Sequence, residues 1–154
     1  RDSPTALVFS RQQASFVRRT KEEITHIKKG AYYLGYREKA EAIVYASGTE
    51  VSLAIKARTL LEGYGICINV VSMPCMERFD RECEGYRKHI LPEGIPKVMV
   101  EAGNTDLSYR YINKSDIALG IDHFGASAPG DVLYKTYGLT AERIVEAICR
   151  LVKK

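Results

Sequence analysis

A lone arginine just past a short apolar run is the side chain in this sequence best suited to holding a phosphorylated ligand. Ser10-Arg11-Gln12 follows Ala6-Leu7-Val8-Phe9. At a strand end the planar guanidinium of Arg11 can grip two phosphate oxygens together. The chain opens on Arg1, almost where that strand is expected to begin, which reads as the tail of a longer protein cut just upstream of a substrate-facing arginine. Two turns offer a second kind of chemistry. Ser47-Gly48-Thr49-Glu50 and Gly103-Asn104-Thr105-Asp106 each close an apolar run and open a helical one, where free amides can hold an anion. Neither has the glycine spacing of a dinucleotide or P-loop site, and Glu50 already sets an anion in its own first turn. Both are read as helix caps, the first with capping-box spacing, the second capped by Asn104 or Thr105.

Other reactive side chains point to less. Glu101 ends an otherwise apolar strand, where an unpaired carboxylate is costly, so it is expected to be paired across an interface. His123 and Ser127 are too close in sequence for a nucleophile–base geometry and no GxSxG elbow is present. Cys67, Cys75, Cys83 and Cys149 lie 8, 8 and 66 residues apart, which fits neither a CxxC pair nor a dense disulfide framework, and they are expected as reduced thiols. His26, His89 and His123 show no HxxxH spacing, so no metal site is expected.

Composition narrows the class of partner. A net charge of +4 with acids and bases interspersed leaves no basic stripe for nucleic acid; Arg18-Arg19-Thr20-Lys21 is offset by Glu22-Glu23 and is read as solvated surface. No run approaches the roughly 18 apolar residues of a membrane span, and the N-terminus lacks a signal-peptide hydrophobic region. The last residues, Leu151-Val152-Lys153-Lys154, are not a peroxisomal ending, and the expected compartment is cytoplasmic.

The elements that must position these residues alternate. Thr20-Lys21-Glu22-Glu23 has capping-box spacing for a short helix ending at Gly30, and residues 31–34 form a brief extended piece. Strands are expected over 42–46, 66–73, 97–102 and 117–121, the first β-branched and apolar enough to be buried on both faces. Helices are expected over 50–62, 80–89, 106–112, from Pro129 to about 138, and from Thr140 to the end. That alternation predicts an α/β fold, a mostly parallel sheet covered on both faces, with ligand positions beyond the carboxyl ends of the strands. These are the turns at Gly48 and Gly103. Tyr32, Tyr33, Tyr36, Tyr109, Tyr111, Tyr134 and Tyr137 could anchor an interface.

Taken in order, several stretches resemble the C-terminal part of transketolases. They are residues 5–12 (TALVFSRQ), 46–51 (ASGTEV), 70–74 (VVSMP), 79–80 with 86–87, 100–103 (VEAG), 124–129 (FGASAP) and 137–140 (YGLT). The resemblance implies a three-layer αβα, Rossmann-like domain with a five-stranded sheet over residues 41–154, a linker over 13–40, and the end of the pyrimidine-binding domain over 1–12. It implies a parent enzyme that moves a two-carbon ketol unit from ketose phosphate to aldose phosphate, using thiamine diphosphate and a divalent cation (Mg or Ca) held by upstream domains, with no catalytic, cofactor or metal residue in this fragment. One family role carries over: Arg11 as the contact to substrate phosphate. After it the chain departs from many relatives, with Gln13-Ala14-Ser15 in place of an asparagine and an apolar residue or proline. The implied partners are the upstream domains and a second subunit in a homodimer, with the isolated fragment inactive. Two alternatives stay open, a free-standing α/β module for a phosphorylated metabolite or nucleotide, and another thiamine-diphosphate enzyme of the deoxyxylulose-phosphate synthase or pyruvate dehydrogenase E1 type.

Overall fold

The computed structural model describes residues 14–152 together with Pro4, Ala6, Leu7 and Phe9. Its centre is a five-stranded sheet of β1 (Tyr32–Tyr33), β2 (Ala42–Ala46), β3 (Ile68–Ser72), β4 (Lys97–Val100) and β5 (Ile117–Leu119), in the order β1-β3-β2-β4-β5. β2, β3, β4 and β5 are parallel, in register Val44↔Val70, Val44↔Val98 and Met99↔Ala118, and β1 adds an antiparallel edge through Tyr32↔Ser72. The expected α/β architecture is thus present, and every residue of β2, β3 and β4 is buried, as strands covered on both faces require.

Alternate side chains of these strands serve two separate cores. On one face Ala42, Val44, Ile68, Val70 and Val98 meet α2 (Glu50–Gly63) and α6 (Ala141–Val152) through Val51, Ala54, Leu61, Ile144 and Ile148. Fully burying an aliphatic side chain of this size contributes roughly 1.5–3 kcal/mol, so Leu61, Ile144 and Ile148 fix the two helices to the sheet. On the other face Ile43, Tyr45, Val71 and Met99 meet Phe79 of α3 (Met76–Phe79), Ile90 of α4 (Glu84–Ile90), and Tyr111 and Ile112. A single helix over 80–89 is therefore replaced by two. The chain breaks at 80–83 because Phe79 must turn into the core while α4 keeps only Ile90 buried.

The stretch 13–40 does more than connect. Thr20 and Glu23 form the capping box of α1 (Lys21–His26), with Thr20 N donating to Glu23 at 2.7 Å and Glu23 N to Thr20 Oγ1 at 3.1 Å. A 3-10 turn over Ile27–Lys29 follows and ends at Gly30. Gly30 sits at φ +83°, and a Cβ there would overlap the backbone of Cys75 and Phe79, so both conformation and space demand glycine. Ala31, Tyr32, Tyr33 and Leu34 are all buried against the sheet edge. By contrast Ala6, Leu7 and Phe9 lie outside any strand and are exposed. Among the described residues nothing pairs with them.

Candidate functional site

The strand order reverses between β2 and β4, since the chain leaves β2 toward β3 on one side and returns to β4 on the other. Ligands of open α/β sheets gather at such a point beyond the carboxyl ends, and there the structure brings together Ser47, Thr49, Glu50, Glu101 and Tyr134. Ser47 does not cap α2. Its backbone carbonyl accepts from Glu50 N at 3.1 Å, while its hydroxyl donates to Glu101 Oε2 at 2.5 Å. Thr49 takes the cap position without a side-chain cap bond; its Oγ1 lies 2.9 Å from the Tyr134 hydroxyl and 3.2 Å from Glu50 Oε1. The Tyr134 hydroxyl donates to Glu50 as well.

Glu50 is only 3% exposed, and no lysine or arginine pairs with it among the described residues. What offsets its charge is position. It is the first residue of the fourteen-residue α2, where the positive end of the helix dipole and unpaired amides favour an anion. Burial raises the Glu101 carboxyl above its ordinary range, and the nearby Glu50 charge raises it further against the Ser47 hydrogen bond. Burial, then the bond to Glu50, pushes the Tyr134 hydroxyl up to about 12. Within the chain, Glu101 finds a partner in the Ser47 hydroxyl.

The arrangement fastens β2, β4, α2 and α5 (Gly130–Thr136) together. A groove of about 550 Å³ runs beside it, lined by Ser52, Lys56, Tyr134, Lys135 and Thr140. Thiamine diphosphate does not fit this place. Two carboxylates at the strand ends repel a diphosphate, and among the described residues no three His, Cys, Asp or Glu side chains gather as metal ligands.

The other sequence candidates lie apart. Asn104 caps the 3-10 helix Thr105–Arg110 by accepting from Asp106 N at 2.8 Å. Thr105 donates from both its amide and its hydroxyl to Asp122, each at 2.8 Å. Gly120 lies close beneath, where a Cβ would come within 2.5 Å of Gly103 O. His123 turns to the Phe124 carbonyl and packs its ring edge-on to Tyr137 at 4.8 Å, away from any bond with Ser127. The four cysteines are free. Of the tyrosines, Tyr32, Tyr33 and Tyr111 are core, and Tyr36 and Tyr109 are exposed. Arg11 lies outside the described residues.

Residues 30–140 match the family model described as the transketolase-like TK C-terminal domain. The chain belongs to that family. Transketolase 1 of Aliivibrio fischeri is 41% identical over 147 residues, covering 94% of this chain and 22% of that protein. Among solved structures, transketolase from Leishmania mexicana superposes with a TM-score of 0.78 at 40% identity, over 84% of this chain and 19% of that one. A Pichia stipitis transketolase in complex with sedoheptulose 7-phosphate gives the same TM-score at 36% identity, again over 84% and 19%. The transketolase-type domain described here thus spans about a fifth of the length of the relatives it matches.

Proposed function

We propose that this chain is the C-terminal portion of a cytoplasmic transketolase. In the parent enzyme, thiamine diphosphate and a divalent cation held by upstream domains transfer a two-carbon ketol unit between sugar phosphates. The reading rests on one observation: the match to full-length transketolases is collinear over 94% of this chain. In this assignment residues 1–12 end the pyrimidine-binding domain and residues 13–40 connect it to the domain proper, their last part joining the sheet edge. Arg11 carries a charge-assisted contact to the substrate phosphate. The domain itself packs against the middle domain and the partner subunit of a homodimer. Leu107, Tyr109, Phe124 and Val132 support this packing role, because all four are exposed on segments that follow β4 and β5 and open α5. The ketol chemistry belongs to the cofactor, and this chain's own residues bind and orient.

The test is a chimera in which this chain replaces the matching segment of the Aliivibrio fischeri enzyme. Ketol transfer is expected from the chimera and none from the chain alone; transfer by the isolated chain, or a folded but inactive chimera, refutes the assignment. In the same chimera Arg11→Ala is expected to raise KM for phosphorylated sugars by roughly ten- to a hundredfold, the loss of a contact worth roughly 1.5–3 kcal/mol. It should leave unphosphorylated acceptors nearly unchanged.

A further inference from the structure

The sheet edge closed by β1 carries a second recess, independent of the Ser47–Glu101 cluster and of the transketolase assignment. Its volume is about 340 Å³, at the lower end of the roughly 300–1,000 Å³ range of small-molecule sites. Half of its ten lining residues bear rings, Tyr33, Tyr36, Tyr86, His26 and His89, while Glu22 and Glu23 supply carboxylates and no lysine or arginine lines it. We propose that this recess binds a small free alkylammonium ion.

Three elements clamp it into shape. Tyr33 of β1 donates its hydroxyl to His89 O at 2.8 Å, and Tyr86 of α4 donates to Ala31 O at 2.7 Å. Glu23 of α1 accepts from Gly35 N at 2.7 Å. The Tyr33 and Tyr86 hydroxyls are thus spent on backbone, and their rings line the recess. Tyr33, Tyr36 and His89 pack edge-on and tilted into one aromatic wall, with centroid separations of 4.9, 5.2 and 5.6 Å. The ring quadrupole of such a wall attracts ammonium groups and discriminates little among neutral apolar ones. The Lys29 ammonium already takes one Tyr86 face, 4.0 Å from the centroid, which leaves Tyr33, Tyr36 and the histidines to a ligand. Burial raises the Glu23 carboxyl, but the amide bonds from Thr20 and Gly35 outweigh it and the net shift is downward, so this residue is ionised at neutral pH. Glu22 has no cationic partner among the described residues. Arg19 lies near enough to lower Glu23 further, so Glu22 supplies the carboxylate without a cationic partner, at the rim of a recess that is aromatic within.

Choline and its neutral isostere 3,3-dimethylbutan-1-ol separate charge from shape. Titrated into the chain and followed by the ring resonances of Tyr33, Tyr36 and Tyr86, choline is expected to give saturable shifts in the millimolar range. It should bind roughly three- to tenfold more tightly than the isostere. Tyr36→Leu keeps apolar area at an exposed position, and should remove that preference while far-UV circular dichroism stays unchanged; Glu22→Gln should weaken choline alone. Equal shifts from the two probes, no saturation with choline, or a choline preference that survives Tyr36→Leu in a folded chain overturns the proposal. Cosedimentation with phosphatidylcholine vesicles, in place of free choline binding, overturns it in favour of a lipid headgroup.

Discussion

Two carboxylates held near one another without a cation define what single residues do in this domain. Glu101 is raised by burial above all, and further by Glu50, against the lowering effect of the Ser47 hydrogen bond, so the folded state binds its proton more tightly than the unfolded chain does. Its contribution to stability is then greatest at acid pH and declines as pH rises from the ordinary glutamate value through the raised one. Glu101→Gln, which keeps an acceptor for Ser47, is expected to be more stable than the parent sequence by about 1 kcal/mol at pH 8. It should lose that advantage near pH 4, as read by urea unfolding at the two pH values. An advantage that does not change with pH would contradict this account. Tyr134→Phe leaves Glu50 with fewer donors in a buried position and should cost about 1–3 kcal/mol. The sequence shows why Glu101 needs a partner, since a carboxylate ends an apolar strand. It cannot show that the partner is Ser47, because Ser47 equally fits a cap and only the β2–β4 pairing brings the two strand ends together.

Elements with strong local signals are where the sequence says they are. The Thr20-x-x-Glu23 box forms as spaced, and Thr20→Ala should cost about 1 kcal/mol. Strands β2, β3 and β4 follow from apolar runs, each trimmed by a residue or more except β2. Two elements escape local reading. β1 is two residues long and exists because β3 offers it an edge, information that lies forty positions away. The division of α3 from α4 depends on where Phe79 finds its pocket, which a charged stretch with sparse apolar residues does not reveal. Gly30→Ala tests the link between these two elements. A methyl group there meets the backbone of Cys75 and Phe79 at a positive φ, so a loss of at least about 2 kcal/mol is expected in denaturant unfolding, against about 1 kcal/mol for a strain from φ alone.

For the whole molecule, the sheet is asymmetric in what guards its margins. β1, antiparallel and flanked by buried Ala31 and Leu34, closes the β3 side, whereas β5 is only half-buried. Removing residues 1–40 should uncover the unpaired edge of the five-residue β3 and produce concentration-dependent association, detectable by light scattering, while removing residues 1–13 should not. A monodisperse shorter chain would show that β1 is ornamental. Because Tyr32 pairs with Ser72, this closing strand must wait for a partner made later. On a ribosome its two tyrosines emerge before that partner and stay solvated until the chain has grown by some forty residues more. The strand thus docks only after β3 has been made, and a pause in translation between residues 34 and 72 would prolong the interval in which chaperones could hold it.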